Sequence, residues 1–248
     1  MPKLILQILA FGCFVMPCFG QVKERKNLVY KNGTYDVFTI KVDSSLTNNI
    51  RIFENKMHLT ENDFFTNPGI INHPFFAITA SIVDSPCTPI GLYINNGIKL
   101  KDVNLSKNGT GNFYEILPNG FLGVDSGGVK IAQSSAYNSN YPYRMAIQSG
   151  PMLIIDGVIN SKFAKDSKNL KNRCAVGTFG TGNDQYLVFA MAVNPVSFYQ
   201  VAELLLEKFK CFNALTLESG SYCSMHLPGS NGQTGSSEII CNYIILGM

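Results

Sequence analysis

The chain of 248 residues is poor in charge: Asp, Glu, Lys and Arg make up 15% of it, and the net charge is only +3. That balance does not suit nucleic acid, whose recognition needs a basic stripe or patch. The one basic cluster, "KERK" at 23–26, reads as a solvated segment. Histidine is scarce and scattered, at His58, His73 and His226, and no Cys-x-x-Cys or His-x-x-x-His spacing occurs. No structural metal and no cofactor are therefore expected, and a metal requirement for activity is left open. Neither G-x-S-x-G nor GxxxxGK[ST] is present. "SGSYCSMH" has the residue types of a serine hydrolase without its pattern, and Asp125–Lys130 departs from a phosphate-binding loop. No apolar run reaches the roughly 20 residues of a membrane-spanning helix, and no internal repeat is seen.

What the sequence does contain begins with Lys3, an apolar stretch from Leu4 to Val15, and a small residue, Gly20, before polar Gln21. This order predicts a secretory signal over residues 1–20 and export to a periplasmic or extracellular space. Lipid attachment at Cys18 ranks second, because Pro17 precedes it. Five cysteines remain beyond the signal: Cys87, Cys174, Cys211, Cys223 and Cys241. An oxidising compartment allows one or two disulfides, and the odd count leaves at least one thiol unpaired within the chain.

Hydrophobic residues make up 46% of the chain, with 22 Gly and 11 Pro, which favours a turn-rich β domain over a helical bundle. Tyr35–Val42 alternates as a strand, "RIFENKMHLTENDFF" is ambiguous, and Phe75–Ile82 reads as a buried strand. Asn95-Asn96-Gly97 predicts a hairpin between Ile90–Ile94 and Ile98–Leu100. Pro118-Asn119-Gly120 predicts another between Tyr114–Leu117 and Phe121–Val124. Asp125–Gly128 leads to Val129–Ala132. Met145–Ile147, Met152–Ile155 and Val158–Ile159 follow, separated by "QSGP" and "DG", so the middle of the chain reads as an antiparallel meander. Tyr186–Val193 is a nearly continuous apolar run, as in a strand covered on both faces. Ser197 and Gln200 form a capping box ahead of a helical stripe, Phe198, Val201, Ala202, Leu205, Leu206 and Phe209. Ala214–Leu217 then completes a βαβ unit. The fold class is thus mixed α/β (α+β), rich in β, with an antiparallel meander and a C-terminal βαβ unit in one domain. Residues 21–69 add N-terminal strands and loops that pack on a main domain over 70–248.

Sheets with parallel strands place ligand sites beyond the strands' carboxyl ends. Glu218, just past Ala214–Leu217, and Asn194, past Tyr186–Val193, occupy such positions. Arg173, entering a strand in "NRCAVG", is the side chain best suited to hold a phosphate or carboxylate. "QSGP" at 148–151 is a polar turn able to aim N–H groups at an anion, and Asn112 in "GTGNFY" is read as entering a strand.

Taken in order, "PIGLYINNG", "GTGNFYEILPNG", "AIQSGPMLIIDG", "NRCAVG", "FAMAVNPVSFYQVAELLLEKF" and "CFNALTLESGS" resemble the phosphodiester glycosidase family, over roughly residues 70–228. This is the domain of the lysosomal uncovering enzyme and of many secreted bacterial proteins. The resemblance implies a secreted hydrolase that cleaves between a sugar anomeric carbon and a phosphodiester, with a carbohydrate or phosphoglycan as its partner. It implies that Arg173 neutralises the departing phosphate. Asn112, Gln148, Ser149 and Gly150 would orient the sugar, and Glu218 would act as acid/base or steady an oxocarbenium-like centre. Thr79, Ser81, Gly220 and Ser221 fall at the remaining site positions. Three of these depart from the family pattern. Thr79-Ala80-Ser81 stands where an Asn-Gly-type turn is usual, Cys174-Ala175 replaces Asn-Gly, and Glu218-Ser219 replaces Asp-Gly. A catalytically degenerate glycan- or phosphoglycan-binding relative is therefore the alternative reading. The sugar, the leaving group and the oligomeric state are not specified by the sequence.

Overall fold

The computed structural model describes residues 22–66, 74–84, 86–227 and 238–247; the expected signal segment lies outside them. The N-terminal part contains β1 (Val22–Tyr30), β2 (Gly33–Lys41), α1 (Ser44–Asn49), β3 (Ile50–Glu54), α2 (Glu61–Thr66) and β4 (Phe76–Thr79). There follow β5 (Val83–Asp84), β6 (Thr88–Pro89), β7 (Tyr93–Asn95), β8 (Ile98–Lys101) and α3 (Asn112–Glu115). The middle holds β9 (Gly120–Asp125), β10 (Gly128–Gln133), β11 (Met145–Ser149), β12 (Met152–Ile155) and β13 (Val158–Ile159). The C-terminal part holds β14 (Arg173–Phe179), β15 (Tyr186–Ala192), α4 (Phe198–Phe209), β16 (Asn213–Ser219), β17 (Met225–His226) and β18 (Asn242–Leu246).

Three sheets enclose the main core. The largest has the order β1-β2-β15-β14-β16-β12-β13; a second runs β10-β9-β11-β7-β8, and a third β17-β4-β18-β3. The apolar run of β15 shows how they are glued together. Leu187, Phe189 and Met191 face the shared core with β4, β9 and β18, whereas Val188, Ala190 and Ala192 face α4. A strand buried on both faces needs no polar alternation, which is why the run is continuous. Helix α4 starts on the expected capping box, Ser197 accepting from the Gln200 N–H while the Gln200 side chain accepts from the Ser197 N–H. It lays Phe198, Val201, Ala202 and Leu205 on the sheet. No helix among the described residues is long and apolar enough to cross a membrane.

The β15–α4–β16 unit is present in split form. β14 pairs antiparallel with both β15 and β16, so those two strands are parallel but lie one place apart. This insertion brings the beginning of β14 to the same edge as the end of β16, with Arg173 opposite Ser219. Two local expectations are corrected. The Asn96-Gly97 hairpin forms, with φ of 50° and 77°, but Pro118-Asn119-Gly120 makes no hairpin. Tyr114 belongs to α3, and Asn119 is buried because its side-chain amide donates to the Phe113 carbonyl at 2.6 Å. The middle is also not one meander: β11 lies in the five-stranded sheet and β12 in the seven-stranded one, so "QSGP" carries the chain between layers.

The cysteines pair as Cys87–Cys241 and Cys174–Cys223, and Cys211 is a buried free thiol. Cys174–Cys223 ties β14 to the turn that follows β16.

Candidate active site

The β14–β16 edge opens into a cleft of about 640 Å³. Asn112, Gly150, Arg173, Glu218, Gly220 and Ser221 all line it, so six of the ten sequence-derived candidates converge. Each is placed by a local device. Asn112 opens the short helix α3 rather than a strand, after Gly111 at φ 89°, a backbone state that favours glycine. Gly220 turns the chain off β16 at φ 75° and donates its N–H to the Asn172 carbonyl at 2.8 Å. The Cys174–Cys223 bridge then holds the Gly220–Tyr222 turn against β14.

Glu218 is not beyond the strand but inside it, at a bulge. From Arg173 to Ala175 β14 advances two residues while β16 advances three, Ser219 to Thr216. A bulge bends a strand and re-aims its side chains. Here it brings the hydroxyls of Thr216 and Ser219 within 3.4 Å of each other. Glu218 consequently lines both the cleft and an adjoining cavity, and its N–H donates to the Ala80 carbonyl at 3.1 Å. Burial raises the Glu218 pKa above the ordinary carboxyl value, against the opposing effect of the Ser219 and Val83 N–H groups that donate to it.

Arg173 is 1% exposed yet forms no ion pair among the described residues. Its Nε donates to the Val196 carbonyl at 3.4 Å and Nη2 to the Asn169 carbonyl at 3.2 Å. The guanidinium lies 3.7 Å over the Phe198 ring. Desolvation lowers its pKa to about 10. A buried cation with no carboxylate partner among the described residues, beside a cleft, has the charge and the donors that an anion would need.

The other four candidates are held differently. Thr79 and Ser81 line the adjoining cavity with Glu218, but their hydroxyls are engaged. Thr79 donates to the Tyr222 carbonyl at 2.8 Å and Ser81 to the Asn242 side-chain oxygen at 3.2 Å. Gln148 does not line the cleft. Its Oε1 accepts from the Leu92 and Asn104 N–H groups and its Nε2 donates to the Asn104 carbonyl at 2.7 Å, so it anchors the loop leading to Gly109–Asn112. A Cβ on Gly91 would collide with that amide. Ser149 is fully buried, away from the cleft, with an unpartnered hydroxyl. The expectation that Gln148 and Ser149 orient a sugar is thus not met by their placement. Asn194, the other strand-end position, caps the neighbouring hairpin, accepting from the Thr34 N–H at 2.6 Å.

Several lining residues were not foreseen, among them Asp84, Lys171 and Tyr222. Asp84 and Lys171 are solvent-exposed at the cleft, and Tyr222 stands where it meets the adjoining cavity. "VDSPC" and "LKNR" look like ordinary polar loops, and only the long-range pairing of β14 with β16 and the Glu218–Ala80 backbone bond make them neighbours of Glu218. Among the described residues no group of three or more His, Cys, Asp or Glu is placed to hold a metal.

Comparison with known proteins follows the same lines. The phosphodiester glycosidase family model (NAGPA) matches residues 69–241. The uncharacterized protein YigE of Escherichia coli (strain K12) is 34% identical over 153 residues, 62% of this chain. The chain spans 58% of that relative's length. Among solved structures, the catalytic domain of zebrafish N-acetylglucosamine-1-phosphodiester alpha-N-acetylglucosaminidase, auto-inhibited by its pro-peptide, matches with a TM-score of 0.60. That match covers 92% of this chain and 82% of the other at 13% identity, a likeness of fold. With its family match running through most of the chain and through both strands of the cleft, this protein belongs to the phosphodiester glycosidase family.

Proposed function

We propose that this protein is an exported hydrolase that cleaves the bond between a sugar anomeric carbon and a phosphodiester. The observation that carries this reading is Arg173: a buried guanidinium, with no ion pair among the described residues, that shares a cleft with a carboxyl whose pKa is raised. The phosphate would sit against Arg173, with Lys171 adding positive charge at the rim. Glu218, inclined to keep its proton by burial, donates it to the departing oxygen as the anomeric C–O bond breaks. Water adds to the sugar carbon, and its proton passes to the exposed Asp84 carboxylate. Two carboxyls in unlike settings on one cleft are what glycoside cleavage uses. Arg173 stabilises the charge that builds on the leaving phosphate, an effect whose loss costs about 10²–10³ in rate at comparable sites. Export is supported by the signal-like N-terminus and by the two disulfides.

The test is turnover of aryl and nucleotide sugar phosphodiesters by the purified protein. Rates no higher than those of an Arg173→Ala, Glu218→Gln double variant would sink the reading. The second reading, a binding relative without catalysis, is favoured by Thr79 and Ser81, whose hydroxyls are turned into internal hydrogen bonds. Saturable binding of a glycan phosphodiester with no cleavage would establish it.

A further inference from the structure

The cleft does not end at Glu218. Ile82, Val83, Asp84, Glu218 and Tyr222 also line a second cavity of about 490 Å³. That cavity in turn shares His58, Pro86, Cys87, Cys241 and Asn242 with a third of about 370 Å³. The first alone lies within the roughly 300–1,000 Å³ that holds a drug-sized ligand. Two more adjoining cavities are surplus to one sugar and its phosphate. Their linings mix polar and apolar groups. Tyr222, 45% exposed, presents a ring where the first two meet. At the far end Thr88, Lys56 and Lys101 stand beside apolar Pro89 and Leu100, the latter 57% exposed. The Tyr93 hydroxyl lies unpartnered in the wall there. Polar groups interleaved with flat apolar ones suit sugar rings, which have apolar faces and a hydroxyl rim.

Resting on the hydrolase reading above, we propose that the three cavities form one groove for a saccharide chain several units long, its phosphodiester seated between Arg173 and Glu218. The substrate class is then an oligo- or polysaccharide carrying a glycosyl phosphodiester, and Tyr222 is a specificity-determining platform between subsites.

Calorimetry on the Glu218→Gln protein, which retains Arg173 and leaves the ligand uncut, reads the groove without catalysis. The ligands are glycosyl phosphodiesters with one, two and four sugar units, extended on the sugar side or on the phosphate side. Affinity should rise at least tenfold from one unit to four on one of the two sides. Thr88→Trp, which fills the far cavity from an exposed position, and Tyr222→Ala should each remove that gain. Equal affinity at all lengths, or a gain that survives both substitutions, overturns the proposal. Turnover by the parent separates the two ideas. Cleavage of the one-unit ligand without a length gain refutes the groove alone. Length-dependent binding without cleavage keeps the groove and refutes the hydrolase, and no binding at any length overturns both.

Discussion

Replacing Arg173 by Met should abolish anion binding while leaving the fold nearly as stable as before. A drop in pKa from 12.5 to about 10, at about 1.4 kcal/mol per unit, sets the cost of holding this guanidinium out of water at about 3 kcal/mol. Methionine removes that cost and fills similar space. It also gives up the stacking on Phe198, about 2 kcal/mol when desolvated. The two long hydrogen bonds to the Val196 and Asn169 carbonyls contribute about 1 kcal/mol more at net hydrogen-bond values. The terms nearly cancel. Since about 1 kcal/mol moves Tm by about 2–4 °C in a chain of this size, Tm should stay within about 4 °C of the parent. Phosphate at a hundredfold excess over its Kd should stabilise the parent by about 2.7 kcal/mol and the variant not at all. Differential scanning calorimetry with and without phosphate measures both effects. A fall in Tm beyond about 10 °C, equivalent to about 3 kcal/mol, would show that Arg173 is a structural strut. Equal stabilisation of parent and variant by phosphate would show that the anion binds elsewhere.

Glu218→Gln should abolish turnover and change how stability follows pH. Burial raises the folded-state pKa above 4.5, so the unfolded chain loses this proton first. Glu218 therefore favours the fold fully below about 4.5, and that advantage is lost as pH rises through its folded value. The variant should melt higher than the parent at pH 8 and match it at pH 4; a difference independent of pH refutes the assignment. Gln148→Leu leaves the Leu92 and Asn104 groups unsatisfied and should cost about 2–4 kcal/mol in urea unfolding. A stable Gln148→Leu protein with weakened sugar binding would instead restore Gln148 to the site. The Cys174→Ala, Cys223→Ala double variant opens a loop with a sequence separation of 49 and should lose about 4 kcal/mol. It should also lower kcat/KM, because the Gly220–Tyr222 turn is released from β14; unchanged kinetics would mean that the turn is held by its backbone bonds alone.

Features whose physics is local could be read from the chain. Asn96-Gly97 tolerates positive φ, and Ser197 and Gln200 satisfy each other's helix-end donors, whatever the rest of the fold does. "RIFENKMHLTENDFF" looked ambiguous because it holds both a strand, β3, and a helix, α2. What failed was non-local. Nothing within a few residues of Asn119 shows that its amide is drawn back to Phe113 and buried. Nothing in Tyr186–Leu217 shows that β14 is inserted between its two strands. Convergence on the cleft was legible where a charged residue borders an apolar strand, as Arg173 and Glu218 do. It was misread where buried polar residues satisfy backbone, because Gln148 bound to Asn104 and a glutamine awaiting a sugar look alike in sequence.

The insertion of β14 also bears on which sheet edges the chain leaves open. β15 obtains its second neighbour not from the family-matched segment 69–241 but from β2, through a seven-residue register from Tyr186↔Lys41 to Ala192↔Tyr35. β18, at Asn242–Leu246, likewise lies beyond that segment and is flanked by β3 and β4. A chain trimmed to 69–241 would bare the backbone of β15, seven residues without a charge, and strip β4 of one partner. Long, uncharged, apolar edges recruit other chains. The flanks outside the family-matched segment are therefore what cover the edges on which a neighbouring copy could complete the sheet.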